Sequence, residues 1–453
     1  MRIPRLYASL LLVFAILLFF LTFLPSGSLI AQMQSSSEAE NYTATRTTDY
    51  SDWLAGRTRI KNRTVFSRSG FSLSSETELS LSYDQLLTTG FLVRELYADF
   101  YLSNTDIRAG RQKLITGGME GVSVADILSP SDLNRIVFLN SDDIRVPLEA
   151  VSITRYLGNN SINFIAALHR PPSALPDPDS RWSPFSQNNR DLEFRQVSRP
   201  KGSLSEDLVF SLRYQVRGTY ADYSISLMNW IYPVPSLGLE LISSGPEQNP
   251  ELSVFESMES SPMGSATLSL QLTSAVRLNA ELLYVHQRYF TYLPFTSDLI
   301  RQAERDPLAA LQLFNQFQPR EDRYLVSSPW VSAGAGIRLE LSGYTAEIQF
   351  ATDFIADYQS EMIQESVFTY STLLFSRSFM DDRLRFTSFN RYNISGGDLW
   401  SHFELLYEVR DNLELSSGMS LFGGKSPDPL YGHLSFGQFR QNSFLYTRIR
   451  YFF

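Results

Sequence analysis

Several segments of this chain alternate apolar and polar side chains with a period of two. The clearest are residues 208–217, 264–272, 331–341, 344–353 and 399–409. Successive side chains of a β-strand point to opposite faces, so each segment has one apolar face and one face that carries charge. Strands of about 9–11 residues with this pattern are typical of proteins that cross a membrane as a β-barrel.

The connections between these segments alternate in length. Short connections rich in Gly, Asn, Asp and Ser, which suit tight hairpins, lie near residues 103–105, 158–160, 218–220, 273–275, 342–343, 381–382 and 411–412. Long connections lie between them, near residues 115–148, 169–207, 231–262, 289–329, 356–366, 393–398 and 423–442. Short turns at one end and long loops at the other are the outer-membrane arrangement.

Counting these hairpins, with one strand near 71–83 and one at 443–453, predicts 16 strands, with 14 or 18 as alternatives. Arg57, Arg59, Lys61 and Arg63 share one face of residues 57–66, which either add strands or lie in the lumen. In hydrocarbon every backbone N–H and C=O must be paired within the protein, so a sheet there must close. The sequence therefore predicts an all-β, antiparallel transmembrane barrel.

Aromatic residues support this fold over a soluble sandwich or propeller, whose strands would need a polar outward face. Aromatics make up 13% of the chain and charged residues only 19%. Many aromatics fall near strand ends and suit the interfacial girdles of a membrane barrel: Tyr83, Phe91, Tyr97, Trp230, Tyr289, Trp330, Tyr392 and Trp400.

The first residues have the order of a secretory signal, with Arg2 and Arg5, an apolar stretch over residues 6–24, and a small-residue exit. We expect a signal peptide over residues 1–31, a flexible segment over 32–56 and the barrel over 57–453. An uncleaved membrane anchor is the alternative for the first segment.

Composition excludes several classes of function. The chain has no cysteine, which excludes disulfide scaffolds, thiolate zinc sites and thiol catalysis. Its formal charge is −9 without a basic patch, which argues against a nucleic-acid partner. We expect neither a cofactor nor a metal, and outer-membrane lipid as the surroundings.

The segment 94–149 resembles bacterial outer-membrane barrels of unassigned biochemistry related to alginate-export porins. The matching residues are Glu95, Tyr97, Asp99, Gly110, Arg111, Gln112, Gly121, Asp126, Pro130, Asp132, Leu133, Asp143, Arg145 and Pro147. The resemblance implies a periplasmic or inner-membrane exporter as partner, and it implies no catalytic residue. The closing residues also resemble the last strand of outer-membrane proteins, because Ile449, Tyr451 and Phe453 share one phase. That resemblance implies recognition by the barrel-assembly machinery.

The long loop at 115–148 contains a concentration of charge that is suited to a pore constriction. Its candidates are Asp126, Asp132, Arg135, Asp142, Asp143 and Arg145. A loop directed outward, with ordinary surface ion pairs, is the alternative, and a calcium site would need a different spacing. Four strand residues are further lumen candidates, because a charge at the bilayer midplane costs about 2–4 kcal/mol: Arg108, Arg213, Arg338 and Glu404.

We predict a porin-like channel that passes small polar or amphiphilic solutes passively, in one version as the exit of an export system. A surface barrel that binds a partner through its loops is the second hypothesis. The third is a barrel hydrolase, for which His402 shares the polar phase with Glu404, and a pair of His with one of the many Ser residues is the alternative. Residues 306–317 predict a helix, capped by Asp306, that either covers or plugs the lumen or packs on neighbouring loops.

Overall fold

The computed structural model describes residues 32–83, 87–132, 144–168, 176, 180–182, 195–197, 207–242, 251–292, 324–425 and 435–453. The expected signal peptide and the helix at 306–317 lie outside these ranges. The described residues form 21 strands and a 3₁₀ helix at Phe436–Asn442. None of their helices is long and apolar enough to cross a bilayer.

Eighteen strands form one sheet in which every neighbouring pair is antiparallel. They are β1 (Gln32–Arg46), β2 (Trp53–Arg68), β3 (Phe71–Ser82), β4 (Thr88–Leu102), β5 (Thr105–Gln112), β6 (Leu148–Leu157), β7 (Asn160–Leu168), β9 (Leu208–Arg217), β10 (Ala221–Ile231), β13 (Ser260–Gln271), β14 (Val276–Thr291), β15 (Leu325–Leu341), β16 (Tyr344–Ile355), β17 (Val367–Phe379), β18 (Leu384–Asn393), β19 (Asp398–Arg410), β20 (Leu413–Gly424) and β21 (Phe444–Phe452). The remaining strands form a small separate sheet: β8 (Arg195–Val197), β11 (Ser236–Ile242) and β12 (Glu251–Ser257).

The large sheet closes on itself where β21 pairs with β1. The register runs from Glu38 opposite Phe452 to Arg46 opposite Phe444. Next to the pair Glu38 and Phe452, Ser37 and Phe453 exchange two backbone hydrogen bonds of 2.8 and 2.9 Å. Closure removes the free sheet edges, which satisfies the backbone pairing that hydrocarbon demands.

The two ends of the barrel differ, as the sequence predicts. One end, here called the short-turn end, carries tight hairpins such as 158–159 and 342–343. Gly158 and Gly343 have φ of 66° and 75°, a left-handed conformation that favours glycine. The opposite end, here called the loop end, carries the long connections, and β8, β11 and β12 belong to two of them.

The main expectation of 16 strands is wrong, and the alternative of 18 is the number that the barrel has. The additional strands are β1 and β2, joined by a short connection over residues 47–52. The expected flexible segment at 32–56 is therefore wrong from Gln32 onward. Along β1 the outward residues Ala39, Asn41 and Thr43 are small or polar, so the hydrophobic half of the alternation is missing there.

Apolar side chains cover the outside of the barrel. On β10, Ile225 and Leu227 are 55% and 67% exposed, whereas Ser224 and Ser226, which alternate with them, point inward and are almost fully buried. This arrangement reverses that of a water-soluble sheet and fits a barrel surrounded by hydrocarbon.

The aromatic residues predicted to form a girdle lie on both faces of the wall. Phe91 and Tyr392 are exposed on the outer face. Trp230 and Trp330 instead point into the lumen and are almost fully buried. They belong to an apolar cluster on the inner side of the wall, at the loop end.

Candidate functional site

Charged side chains of opposite sign alternate across the inner wall formed by β1 to β4. Glu40 of β1 accepts hydrogen bonds from Arg57 and Arg59 of β2, at 3.2 and 2.8 Å. On the neighbouring strands, Arg94 donates to Glu78 at 3.3 Å. All five side chains are nearly fully buried. Arg57 and Arg59 of the basic face thus point into the lumen, where acids compensate their charges.

Residues 113–132, which follow β5, fold into the barrel and are called the inner loop below. The carboxylate of Glu281 on β14 holds this segment by four hydrogen bonds. It accepts from the backbone N–H of Gly118 (2.7 Å), Met119 (3.1 Å) and Ala125 (3.0 Å), and from the hydroxyl of Ser123 (2.6 Å). A single buried carboxylate of the wall is therefore the acceptor for four donors of the loop. Hydrogen bonds to a charged acceptor are stronger than those between neutral groups.

The tip of the inner loop reaches strands far from its origin on β5. The N–H of Val122 donates to Gln349 on β16 at 2.9 Å, and Gln349 also accepts from Thr372 on β17 at 2.8 Å. A Cβ atom added to Gly121 would lie 2.6 and 2.7 Å from these two side chains. The loop thus crosses the lumen and touches the wall at β16 and β17.

Apolar packing anchors the other part of the inner loop. Leu114, Ile127 and Leu128 join the buried cluster that contains Trp230 and Leu283. The indole N–H of Trp230 donates to the carbonyl oxygen of Leu128 at 3.2 Å. Apolar packing thus holds this part of the inner loop against strands β6 to β15.

Two of the predicted loop residues form an ion pair inside the barrel. Arg145 donates to Asp126 at 2.6 Å, and Asp126 also accepts from the N–H of Thr116 at 3.0 Å. The backbone of Asp132 is joined to the residue before Arg145, because its N–H donates to the carbonyl oxygen of Ile144 at 2.7 Å. Arg135, Asp142 and Asp143 lie outside the described residues.

Arg338 of β15 is a predicted lumen residue that meets the inner loop directly. It forms ion pairs with Glu120 of the loop and with Glu340 (2.6 Å) and Glu347 (3.5 Å) of the wall. Arg338 therefore links the loop to the wall below it.

A chamber of about 250 Å³ lies beneath the inner loop on the short-turn side. Its acids, Asp222, Glu281, Glu347 and Glu120, all accept hydrogen bonds or salt bridges from the protein. Arg213 and Arg277, which also line it, form no salt bridge within the described part of the chain, and Arg213 Nε has no hydrogen-bond partner there. The guanidinium groups thus retain donors for a solute.

Two other predicted lumen residues lie away from the inner loop. Arg108 donates to Asp99 on the wall at 2.6 Å and its guanidinium lies 4.1 Å from the centre of the Tyr97 ring. Glu404 accepts from Tyr446 at 2.7 Å and pairs with Arg448.

The sequence patterns did not identify the two wall residues that hold the inner loop, Glu281 and Gln349. Their only sequence signal is that each is a polar residue on the inward phase of a strand.

Several solved β-barrel structures have a similar fold. The fold is similar to OccK5 (OpdH) of Pseudomonas aeruginosa, with a TM-score of 0.52 and 10% sequence identity, over 93% of this chain and 97% of that one. OccAB2 of Acinetobacter baumannii has a TM-score of 0.50 at 10% identity, over 93% and 98%. OccK8 (OprE) of P. aeruginosa has a TM-score of 0.50 at 8% identity, again over 93% and 98%.

The fold is that of an outer-membrane porin. No protein-family model and no curated protein sequence matches the chain. The similarity therefore concerns the barrel itself, and the function must be argued from the lumen. The resemblance to alginate-export porins is not among these findings.

Among the described residues, His402 forms no hydrogen bond with a serine. The imidazole Nε2 lies 3.3 Å from the hydroxyl of Tyr446, which in turn donates to Glu404. Ser420 is directly opposite His402 on β20, and its hydroxyl accepts from the indole of Trp400 at 2.7 Å. Within the described ranges no group of three or more His, Asp or Glu side chains is placed to hold a metal.

Proposed function

We propose that the protein is an outer-membrane channel through which small polar solutes diffuse passively. Barrels of 16–18 strands enclose an aqueous channel unless something fills it. Here the inner loop crosses the lumen and leaves a cavity of about 250 Å³ beneath it. The observation that supports the proposal best is the set of four hydrogen bonds that Glu281 accepts from the inner loop. These bonds fix the loop inside the barrel, where it narrows the lumen.

The outer surface supports placement in the outer membrane. Large apolar side chains such as Leu227 (67%) and Phe350 (53%) are widely exposed around the barrel. An apolar surface of this extent on a soluble protein would drive aggregation, whereas hydrocarbon covers it at no cost. The long connections then face the cell exterior and the short turns the periplasm.

We also propose a preference for anions over cations in the chamber beneath the inner loop. Its acids are already engaged by donors of the protein, whereas Arg213 and Arg277 retain free donors. Charges at a narrow part of a pore set its ion selectivity. The proposal predicts that replacing Arg213 by Gln shifts selectivity toward cations.

The test is electrical recording from the purified chain in planar bilayers under a KCl gradient. We expect stepwise single-channel currents and a reversal potential on the anion side of zero. The R213Q variant should move that potential toward the cation side. Folded protein that inserts but conducts no current would overturn the channel proposal, while conduction with a cation-side potential would overturn only the selectivity. The partnership with an exporter stays a prediction.

A further inference from the structure

Aromatic rings line the inner wall beyond the two strands that the tip of the inner loop contacts. The set, called the aromatic strip below, consists of Phe389 of β18, Trp400 of β19, Phe422 of β20 and Phe436 of the 3₁₀ helix. The ring centroid of Trp400 lies 5.3 Å from that of Phe389, 6.2 Å from that of Phe422 and 5.6 Å from that of Phe436. The strip is therefore continuous across three strands.

Cross-strand register places the strip beside the tip of the inner loop. Gln349 is opposite Thr372, Thr372 is opposite Arg391, Arg391 is opposite Trp400, and Trp400 is opposite Phe422. Gln349 and Thr372 are the residues that the loop tip contacts. Since adjacent strands lie about 4.8 Å apart, Trp400 is about 10 Å further along the wall than Thr372.

The exposure of these rings differs from that of the aromatics packed into the wall. Phe444 and Tyr446 are almost fully buried, whereas Phe389, Trp400, Phe422 and Phe436 are each half-buried. The indole N–H of Trp400 is already bound to Ser420. What the strip offers to the lumen is therefore flat apolar ring surface.

Polar groups border this surface on one side. Arg391 lies with its guanidinium 5.6 Å from the centre of the Phe436 ring, and its Nε donates to Asn393 at 3.3 Å. Asn393 in turn donates to Asp398 at 2.7 Å. Sites that bind small molecules commonly combine apolar surface with a few polar groups at its edge.

We propose that the aromatic strip makes the channel selective for solutes that contain a ring with a flat apolar face, such as a pyranose or a benzene ring, over open-chain solutes of similar size. Stacking on aromatic surface favours the ring, and the polar border binds its substituents. The proposal rests on the channel function and deepens it.

The experiment compares permeation of size-matched solutes into proteoliposomes. One arm uses methyl β-glucoside against sorbitol, and the other uses benzenesulfonate against hexane-1-sulfonate. We expect the wild-type chain to pass each ring-containing solute faster than its partner. The Trp400→Leu variant should reduce that ratio about threefold, the size of a typical aromatic stacking contribution.

Trp400→Phe is the matched control, because both variants lose the hydrogen bond to Ser420 but only W400F keeps a flat ring. W400F should retain the ratio, and so should Phe350→Leu on the outer face. A ratio that is the same in W400L and W400F would overturn the proposal. Equal permeation of ring and open-chain solutes by the wild type would do the same, whereas no permeation of any solute would mean that the channel function itself fails. A loss of preference in one arm only would identify which ring the strip prefers.

Discussion

At the scale of single residues, one carboxylate holds the inner loop. Replacing Glu281 by Ala leaves three backbone N–H groups and one hydroxyl without their acceptor, and each such bond to a charged group contributes about 1.5–3 kcal/mol. We expect E281A to release the loop and give larger, noisier single-channel currents. Glu361→Gln, on an exposed connection, serves as control. Currents in E281A equal to those of E361Q would show that the loop does not depend on Glu281.

Two glycines of the loop offer a matched pair. A Cβ atom at Gly121 would collide with Gln349 and Thr372, whereas one at Gly118 would meet nothing within 4 Å. Gly121→Ala should therefore displace the loop tip and raise the conductance, while Gly118→Ala should behave as the wild type. If both variants conduct alike, the tip does not lie against β16 and β17 as described.

Residue chemistry also explains why the sequence indicates this site only in part. Asp126 and Arg145 stand out because charges are concentrated in one loop. Glu281 is one polar residue among many on the inward phase of its strand, and nothing local shows that a loop more than 150 residues away approaches it.

At the scale of the strand, the apolar face determines where a charge is tolerated. Ile348 is outward and 45% exposed in the middle of β16, whereas Ser269 of β13 lines the chamber. Ile348→Lys should lower the free energy of unfolding in lipid by about 2–4 kcal/mol if it lies near the midplane, while Ser269→Lys should cost far less. Urea titration in lipid vesicles measures both, and equal losses would contradict the assigned faces.

Strand-scale patterns also determined which strands could be predicted. Strands such as β9 and β16 carry large apolar residues outward and could be recognised. The outward residues of β1 are small or polar, and Glu38 and Glu40 are recognisable as lumen residues only when paired with the basic face of β2. The sequence consequently predicted two strands too few. Ile449, Tyr451 and Phe453 do share the outer face of the seam, and their recognition by the assembly machinery stays a prediction.

At the scale of the whole molecule, apolar packing occurs on both sides of the wall. Side chains such as Leu283, Val285 and Trp330 point inward and pack against the inner loop. Alternation fails at these positions because both faces of the strand are apolar there. This is why the sequence interpretation assigned Trp230 and Trp330 to an interfacial girdle, and why it could not show which strands the loop packs against.

Closure of the sheet depends on the seam between its first and last strands in sequence, β1 and β21. Thr43 of β1 is directly opposite Thr447 of β21, in the same phase as the hydrogen-bonded pair Ser37 and Phe453. The Cα atoms of such a pair lie about 5.5 Å apart, within the range that a disulfide spans. The chain has no cysteine of its own, so a T43C/T447C variant should cross-link cleanly on oxidation in membranes and migrate as a circularised chain after heat denaturation. A T43C/T369C variant, whose two positions lie five strands apart at about 24 Å, should not. Equal cross-linking in the two variants would mean that the barrel is not closed at β1 and β21, and a lumen open along that seam would leave its backbone groups unpaired in lipid.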